Sequence, residues 1–137
     1  MAYCTVVDLY AAFGEREIVE LSDRAGSGVV DAAVISAAID RASDEIDGYC
    51  RARYAVPLPP SEQIKGVCCD LTRYYLWDDA VDERVHAGYE QAIEWLRRVA
   101  AGEIVLDAPT ADEPARRPAS LERAMTFTQA LWETYPS

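Results

Sequence analysis

Three aspartates of this sequence have a spacing that resembles a metal-binding pattern. Asp40, Asp44 and Asp47 follow one another at intervals of four and three. On a helix this spacing places them along one side, where they could hold a cation if another helix supplied further ligands. The single Glu-x-x-His segment, Glu83 to His86, has no second copy to complete a metal site with them, because His86 is the only histidine. A solvated or subunit-facing acidic stripe is therefore the favoured interpretation, and a metal-dependent enzyme that uses the three aspartates is kept as an alternative.

A second acidic segment, residues 23 to 31, has part of the pattern of an EF-hand loop. It offers Asp at the first position, Ser at the fifth and Gly at the sixth. Two ligand positions fail, because Ala25 stands where a second carboxylate or amide is needed and Val34 stands where the bidentate Glu should be. We predict instead a glycine-permitted turn that delivers Asp31 as the N-cap of a helix.

The other reactive side chains show no catalytic pattern. His86 is the only histidine, which excludes a two-histidine metal site, and the sequence contains no Gly-x-Ser-x-Gly and no glycine-rich nucleotide-binding motif. The four cysteines, at positions 4, 50, 68 and 69, include a neighbouring pair but no Cys-x-x-Cys. They are expected to be small apolar residues in or near the core. We predict no catalytic residue, no metal and no cofactor.

Composition limits the partners of this chain. Its 137 residues suffice for one domain with a core of its own, and the formal net charge is −11. Such an acidic protein is not expected to bind DNA without sequence specificity or to bind an anionic membrane. The first residues lack the basic region and the continuous apolar run of a secretory signal, so we expect synthesis in a cytoplasm.

Helical periodicity dominates the first hundred residues, and capping residues mark where the helices begin and end. Three long segments have apolar residues spaced by three and four, which predicts one buried face on each. The predicted elements are a short helix from the Thr5 cap to Phe13, a second over 15–21, a long helix from the Asp31 cap to about Arg53, one that begins at Ser61 and ends before Asp78 and Asp79, and one from the Asp82 cap to Gly102.

These elements predict an all-α protein, a small antiparallel bundle of three main amphipathic helices with two short N-terminal helices. The segment 103–106 is expected to be a short extended piece. Residues 107–120 contain three prolines and no large apolar residue, and apolar residues return in 121–135. We therefore divide the chain into a helical domain, 1–106, and a Pro-rich linker with an apolar C-terminal arm, 107–137.

Four segments of the chain, in this order, carry a resemblance to a known family: LSDRAGSGVVD, EIDGYCRARYAVPLP, CDLTRYYLWDD and YEQAIEWLRRVAAGEI. Together they resemble the small head-tail connector, or head completion, proteins of Mu-like phages and prophages. The resemblance covers roughly residues 3 to 106 and is weaker after Asp107. Its motifs are helix ends and packing residues and include no catalytic motif.

The resemblance implies a structural adaptor and no enzymatic activity. Proteins of this kind form a ring beneath the portal and join the DNA-filled head to the tail. Its implied partners are further copies of itself in a ring of about twelve, a dodecamer, the portal protein, and a tail terminator or tail completion protein. DNA would pass through without specific binding, no membrane is involved, and the location would be the neck of the virion, after synthesis in the bacterial cytoplasm.

Two groups of residues are candidates for this role. The acidic stripe of Asp40, Asp44 and Asp47 would face the channel and repel DNA phosphates. Aromatic and basic residues are candidates for contacts with neighbours, because aromatic residues and Arg are enriched at interfaces. The interface candidates are Tyr75, Trp77, Arg116, Arg117, Phe127 and Trp132. The alternative function is a small acidic binding protein that mimics nucleic acid and inhibits a host factor.

Overall fold

The computed structural model describes residues 2–77 and 82–111, and within these ranges the chain forms five helices and no strand. The helices are α1 (Val6–Phe13), α2 (Glu15–Ser22), α3 (Ala32–Cys50), α4 (Glu62–Leu76) and α5 (Glu83–Ala100). The sequence-based prediction of an all-α fold is confirmed.

The four predicted N-caps are each present, because a local side chain accepts hydrogen bonds from otherwise unpaired amides. Thr5 forms a reciprocal capping box with Asp8, and Asp31 accepts from the first amides of α3. Ser61 and Asp82 cap α4 and α5 in the same way. The end of α1 is also as predicted, since Gly14 takes a φ of 95°, a conformation that glycine adopts without steric cost.

The long helix α3 ends at Cys50, three residues earlier than predicted. The backbone turns there, and the amides of Arg53 and Tyr54 both donate to the carbonyl oxygen of Cys50. This turn carries Tyr54 into the core, where its side chain is buried. The helix therefore ends well before Pro57, because burying the Tyr54 ring requires the chain to bend.

Helix α3 lies at the centre of the bundle and packs against α4 and α5, while α1 and α2 pack against each other and against the sides of α4 and α3. The core contains the apolar stripe that the spacing predicts on α3. A two-pronged ion pair joins α2 to α4: the Arg73 guanidinium donates to both carboxylate oxygens of Glu17, at 2.6 and 2.9 Å, and lies over the ring of Phe13.

The chain after α5 stays attached to the bundle as far as the structure describes it. Residues 103–106 do not form a strand, and the extended pairing comes later, where Ala55 donates to Pro109 and Ala111 donates to Arg53. The buried Tyr54 hydroxyl accepts the amide of Leu106 at 2.9 Å. We call the described residues the helical body; its backbone is paired with the turn after α3 as far as Ala111.

Candidate functional site

The three aspartates of the acidic stripe divide into two environments. Asp40 and Asp44 are exposed on α3. Asp47 is half-buried, and its carboxylate accepts the hydroxyl of Tyr3 at 2.5 Å. The same hydroxyl accepts the amide of Leu58 at 2.9 Å, so Asp47 belongs to a relay that joins the N-terminal segment, α3 and the loop before α4. Two of the three proposed channel-facing residues are therefore presented to solvent.

The Tyr3 phenol is held in its neutral form mainly by its burial. Burial raises the pKa of Tyr3, and the hydrogen bond to Asp47 raises it further. A neutral phenol is a donor and an acceptor at once, which is what the two contacts require. Asp47 accepts the hydrogen bond from this hydroxyl and thereby fixes the N-terminal segment on α3.

The loop with partial EF-hand character uses its carboxylate internally. Asp23 accepts hydrogen bonds from the amides of Ser27 and Gly28 and from the Ser27 hydroxyl. These donors lower the pKa of Asp23, the Ser27 amide most of all. Among the described residues no group of three or more His, Cys, Asp or Glu side chains is placed to hold a metal ion. The loop is a hydrogen-bonded turn that leads into the Asp31 cap.

An aromatic cluster joins α3, α4 and α5 at one face of the bundle. The rings of Tyr74 and Tyr89 are stacked, with centroids 3.9 Å apart, and Tyr75 meets both rings edge-on. Tyr75 also donates its hydroxyl to Glu45 at 2.6 Å, and the Arg41 guanidinium lies 4.1 Å from the centre of its ring. Burial and the bond to Glu45 raise the pKa of Tyr75.

Tyr74 and Tyr75, which are neighbours in α4, both take part in the cluster. Both Tyr74 and Tyr75 are half-buried, so each has one surface in the bundle and one toward solvent. Arg41 and Glu45, which contact Tyr75, were not among the predicted interface residues. Their spacing of four on α3 was the available signal, because it places both on one helix face.

Trp77 lies at the C-cap of α4 and is half-buried. Its indole N–H is shielded from solvent and has no acceptor in the part of the chain that the structure describes. Tyr75 and Trp77 therefore remain interface candidates of different kinds: Tyr75 is already bonded to α3, and the Trp77 N–H has no acceptor among the described residues.

The four thiols are free and buried. Burial raises the pKa of Cys50 to about 11, with a smaller contribution from Asp47. For Cys4 the contact with Cys68 lowers the thiol pKa, but the contact with Cys69 and burial outweigh it and raise the value to about 12. A protonated, shielded thiol is a poor nucleophile and a poor metal ligand. The cysteines act as core residues.

The sequence profile of the Bacteriophage Mu Gp36 family matches residues 3–124 of this chain. The chain belongs to the Mu Gp36 family. Gene product J of Escherichia phage Mu is 35% identical over 105 residues, which cover 74% of this chain and 74% of that protein. The Mu-like prophage FluMu protein gp36 of Haemophilus influenzae is 33% identical over 85 residues, covering 61% of this chain and 60% of its own length.

The Gp36 match extends beyond the helical body. It continues through the Pro-rich residues and ends at position 124, inside the apolar arm. The remaining interface candidates, Arg116, Arg117, Phe127 and Trp132, lie outside the described residues, as do Asp78 and Asp79 at the predicted end of α4. Within the described ranges, no helix of this Gp36 protein is both long enough and apolar enough to cross a membrane.

Proposed function

We propose that this Gp36-family protein is a head-tail connector, a head completion protein that forms a ring under the portal of a Mu-like phage and joins the DNA-filled head to the tail. Family membership supports the coarser part of this proposal, a structural or morphogenetic role in a phage or prophage. The single observation that carries the proposal is the profile match over residues 3–124, which covers the helical body and continues into the arm.

The helical body is suited to repeated contacts between copies. A head-to-tail interface closes into a ring when the rotation between neighbours completes a circle, and about twelve copies would match a twelve-fold portal. The body is fixed at several points by long-range bonds, such as the Arg73–Glu17 pair and the bond from Tyr3 to Asp47. Such bonds hold its faces in a constant relation, which a closed ring of identical copies needs.

Charge supports passage of DNA without binding. The chain carries a net charge of −11, and Asp40 and Asp44 are exposed on α3. A channel lined by these carboxylates would repel phosphates and keep the duplex from adhering to the wall. Asp47 contributes to the local field, but its carboxylate is already bonded to Tyr3.

Contacts with neighbours are assigned to the aromatic face and to the arm. Tyr75 and Trp77 each keep part of their surface toward solvent. In the arm, Arg116 and Arg117 would pair with acidic residues of a neighbouring subunit, while Phe127 and Trp132 would bury apolar area against the portal or the next subunit. Partners on the tail side would be a tail terminator or tail completion protein, and the location is the neck of the virion.

The test is electron microscopy of the purified full chain, alone and mixed with the portal protein encoded by the same phage or prophage. We expect the portal to gain a further ring of density. The variant with Phe127→Ser and Trp132→Ser should bind the portal poorly, whereas a matched variant with Ala11→Ser and Ala12→Ser, both exposed on α1, should bind normally.

A portal that never gains density would reject the connector role. In that case the nucleic-acid mimic would be favoured if the chain forms a stable complex with a basic host protein and duplex DNA displaces the chain from that complex. The acidity of this chain is compatible both with a connector and with a nucleic-acid mimic. The portal experiment distinguishes these two functions.

A further inference from the structure

An apolar groove of about 270 Å³ lies between the N-terminal segment that leads into α1 and the first half of α3. We call it the α1–α3 groove. Asp40, at one end, is the single charged residue of its lining. The other residues that line it are Ala2, Cys4, Val6, Val30, Ala32, Ile35, Ser36 and Ile39.

Two exposed apolar residues lie next to this groove in the sequence. Val7 and Val29 are 66% and 62% exposed, and each is the sequence neighbour of a lining residue, Val6 or Val30. They are two of the three large apolar residues that stand out as exposed in the described part of the chain. An apolar groove whose lining carries a single charged residue is a candidate contact surface.

The C-terminal arm has the chemistry that fits this groove. The chain continues for 26 residues beyond Ala111. In the segment 121–135 the large apolar residues are Leu121, Met125, Phe127, Leu131, Trp132 and Tyr135. A second, larger groove, beside α5, suits it less well, because Glu90, Glu94, Arg97 and Arg98 line that one.

The reach of the linker permits contact within one chain. Ala111 is bonded to Arg53, close to the C-terminal end of α3. The groove residues Ile35 and Ile39 lie about 17 to 23 Å back along α3, at a rise of 1.5 Å per residue. The nine residues 112–120 span up to about 30 Å when extended, so segment 121–135 can reach the groove.

We propose that segment 121–135 docks in the α1–α3 groove of its own chain. Docking in the same chain is favoured over docking in a second copy because a short tether gives an effective concentration in the millimolar range. The contact covers the apolar lining of the groove and keeps the arm's aromatic residues out of water. The docked arm describes the free chain; in the proposed connector the same residues leave the groove for the portal or the next subunit.

The experiment uses the full chain, with ¹³C-labelled Ile and Val methyl groups and a nitroxide spin label on Ser137→Cys. The native thiols do not compete for the label, because all four are buried. We expect the methyl signals of Val6, Val30, Ile35 and Ile39 to be lost in the labelled protein and to return when the nitroxide is reduced. The methyl signals of Ile93 and Ile104, which line the groove beside α5, should persist.

Two comparisons decide between occupants. A mixture of ¹³C-labelled chain without nitroxide and unlabelled chain with nitroxide should show no signal loss, because the contact is within one chain. The groove-filling substitution Ser36→Trp, at an exposed position, should restore the lost signals, as should Phe127→Ser with Trp132→Ser. Equal loss in the mixture would assign the groove to a second copy. The proposal would be overturned by that result, by a signal loss confined to Ile93 and Ile104, or by no signal loss at all.

Discussion

Replacing Tyr3 by Phe is the most informative single change in this protein. It removes one oxygen and leaves the ring in place, so it creates almost no cavity. The lost hydroxyl donates to Asp47 at 2.5 Å and accepts the amide of Leu58 at 2.9 Å. Both partners are then left without their bond, and Leu58 is itself buried, with 2% of its surface exposed.

The expected loss follows from the two bonds. A neutral hydrogen bond contributes about 1 kcal/mol net, and a bond to a charged group about twice that. Water can replace part of the bond to Asp47, because that carboxylate is half-buried. We therefore expect Tyr3→Phe to lower the free energy of unfolding by about 2 kcal/mol.

The assay is urea unfolding followed by circular dichroism. With a slope of about 2 kcal/mol per molar urea for a protein of this size, the midpoint should fall by about 1 M. Tyr10→Phe is the matched control, since its side chain is also half-buried and its hydroxyl makes no hydrogen bond with a described residue. If Tyr3→Phe and Tyr10→Phe unfold at the same urea concentration, the two hydrogen bonds of Tyr3 do not contribute to the free energy of unfolding.

Three further predictions concern a cap, an ion pair and a thiol. Asp31→Ala should lower the free energy of unfolding by about 1 kcal/mol in urea titrations, because α3 loses its cap, whereas the exposed Asp40→Ala should not lower it. Arg73→Lys should lower the melting temperature by about 3 °C, because an ammonium group cannot reproduce two parallel bonds to Glu17. Burial raises the pKa of Cys50 from 9.0 to about 11. The unfolded chain therefore loses this proton first, and stability should fall between pH 9 and 11, less steeply in Cys50→Ala.

The helix starts were predictable because each depends on residues close together in the chain. The Thr5 capping box spans four residues, and Asp31 caps amides two and three positions ahead. The end of α3 was not predictable in the same way. It depends on the burial of Tyr54 against residues that follow α5, and that contact joins positions more than 50 apart in sequence.

The candidate site was only partly predictable for the same reason. Helical spacing placed Asp40, Asp44 and Asp47 along one side of α3 but carried no information that Tyr3 would bond to the last of them. Likewise, the sequence of α4 could not show that Tyr75 would lie between Arg41 and Glu45, because this depends on how α4 is rotated against α3. Contacts between helices follow from packing, which a periodic pattern leaves open.

The bonds inside the body also restrict where function can lie. Asp47, Tyr75 and Arg73 each have a partner on another element, so a change at these positions alters the fold as well as any contact with a partner. Asp40 and Asp44 do not have this dual effect, because they are exposed. The family profile continues beyond Ala111 to position 124, so the linker and the start of the arm belong to the unit that the family shares. Variants of the exposed acids are therefore the ones that can separate a defect in assembly from a defect in folding.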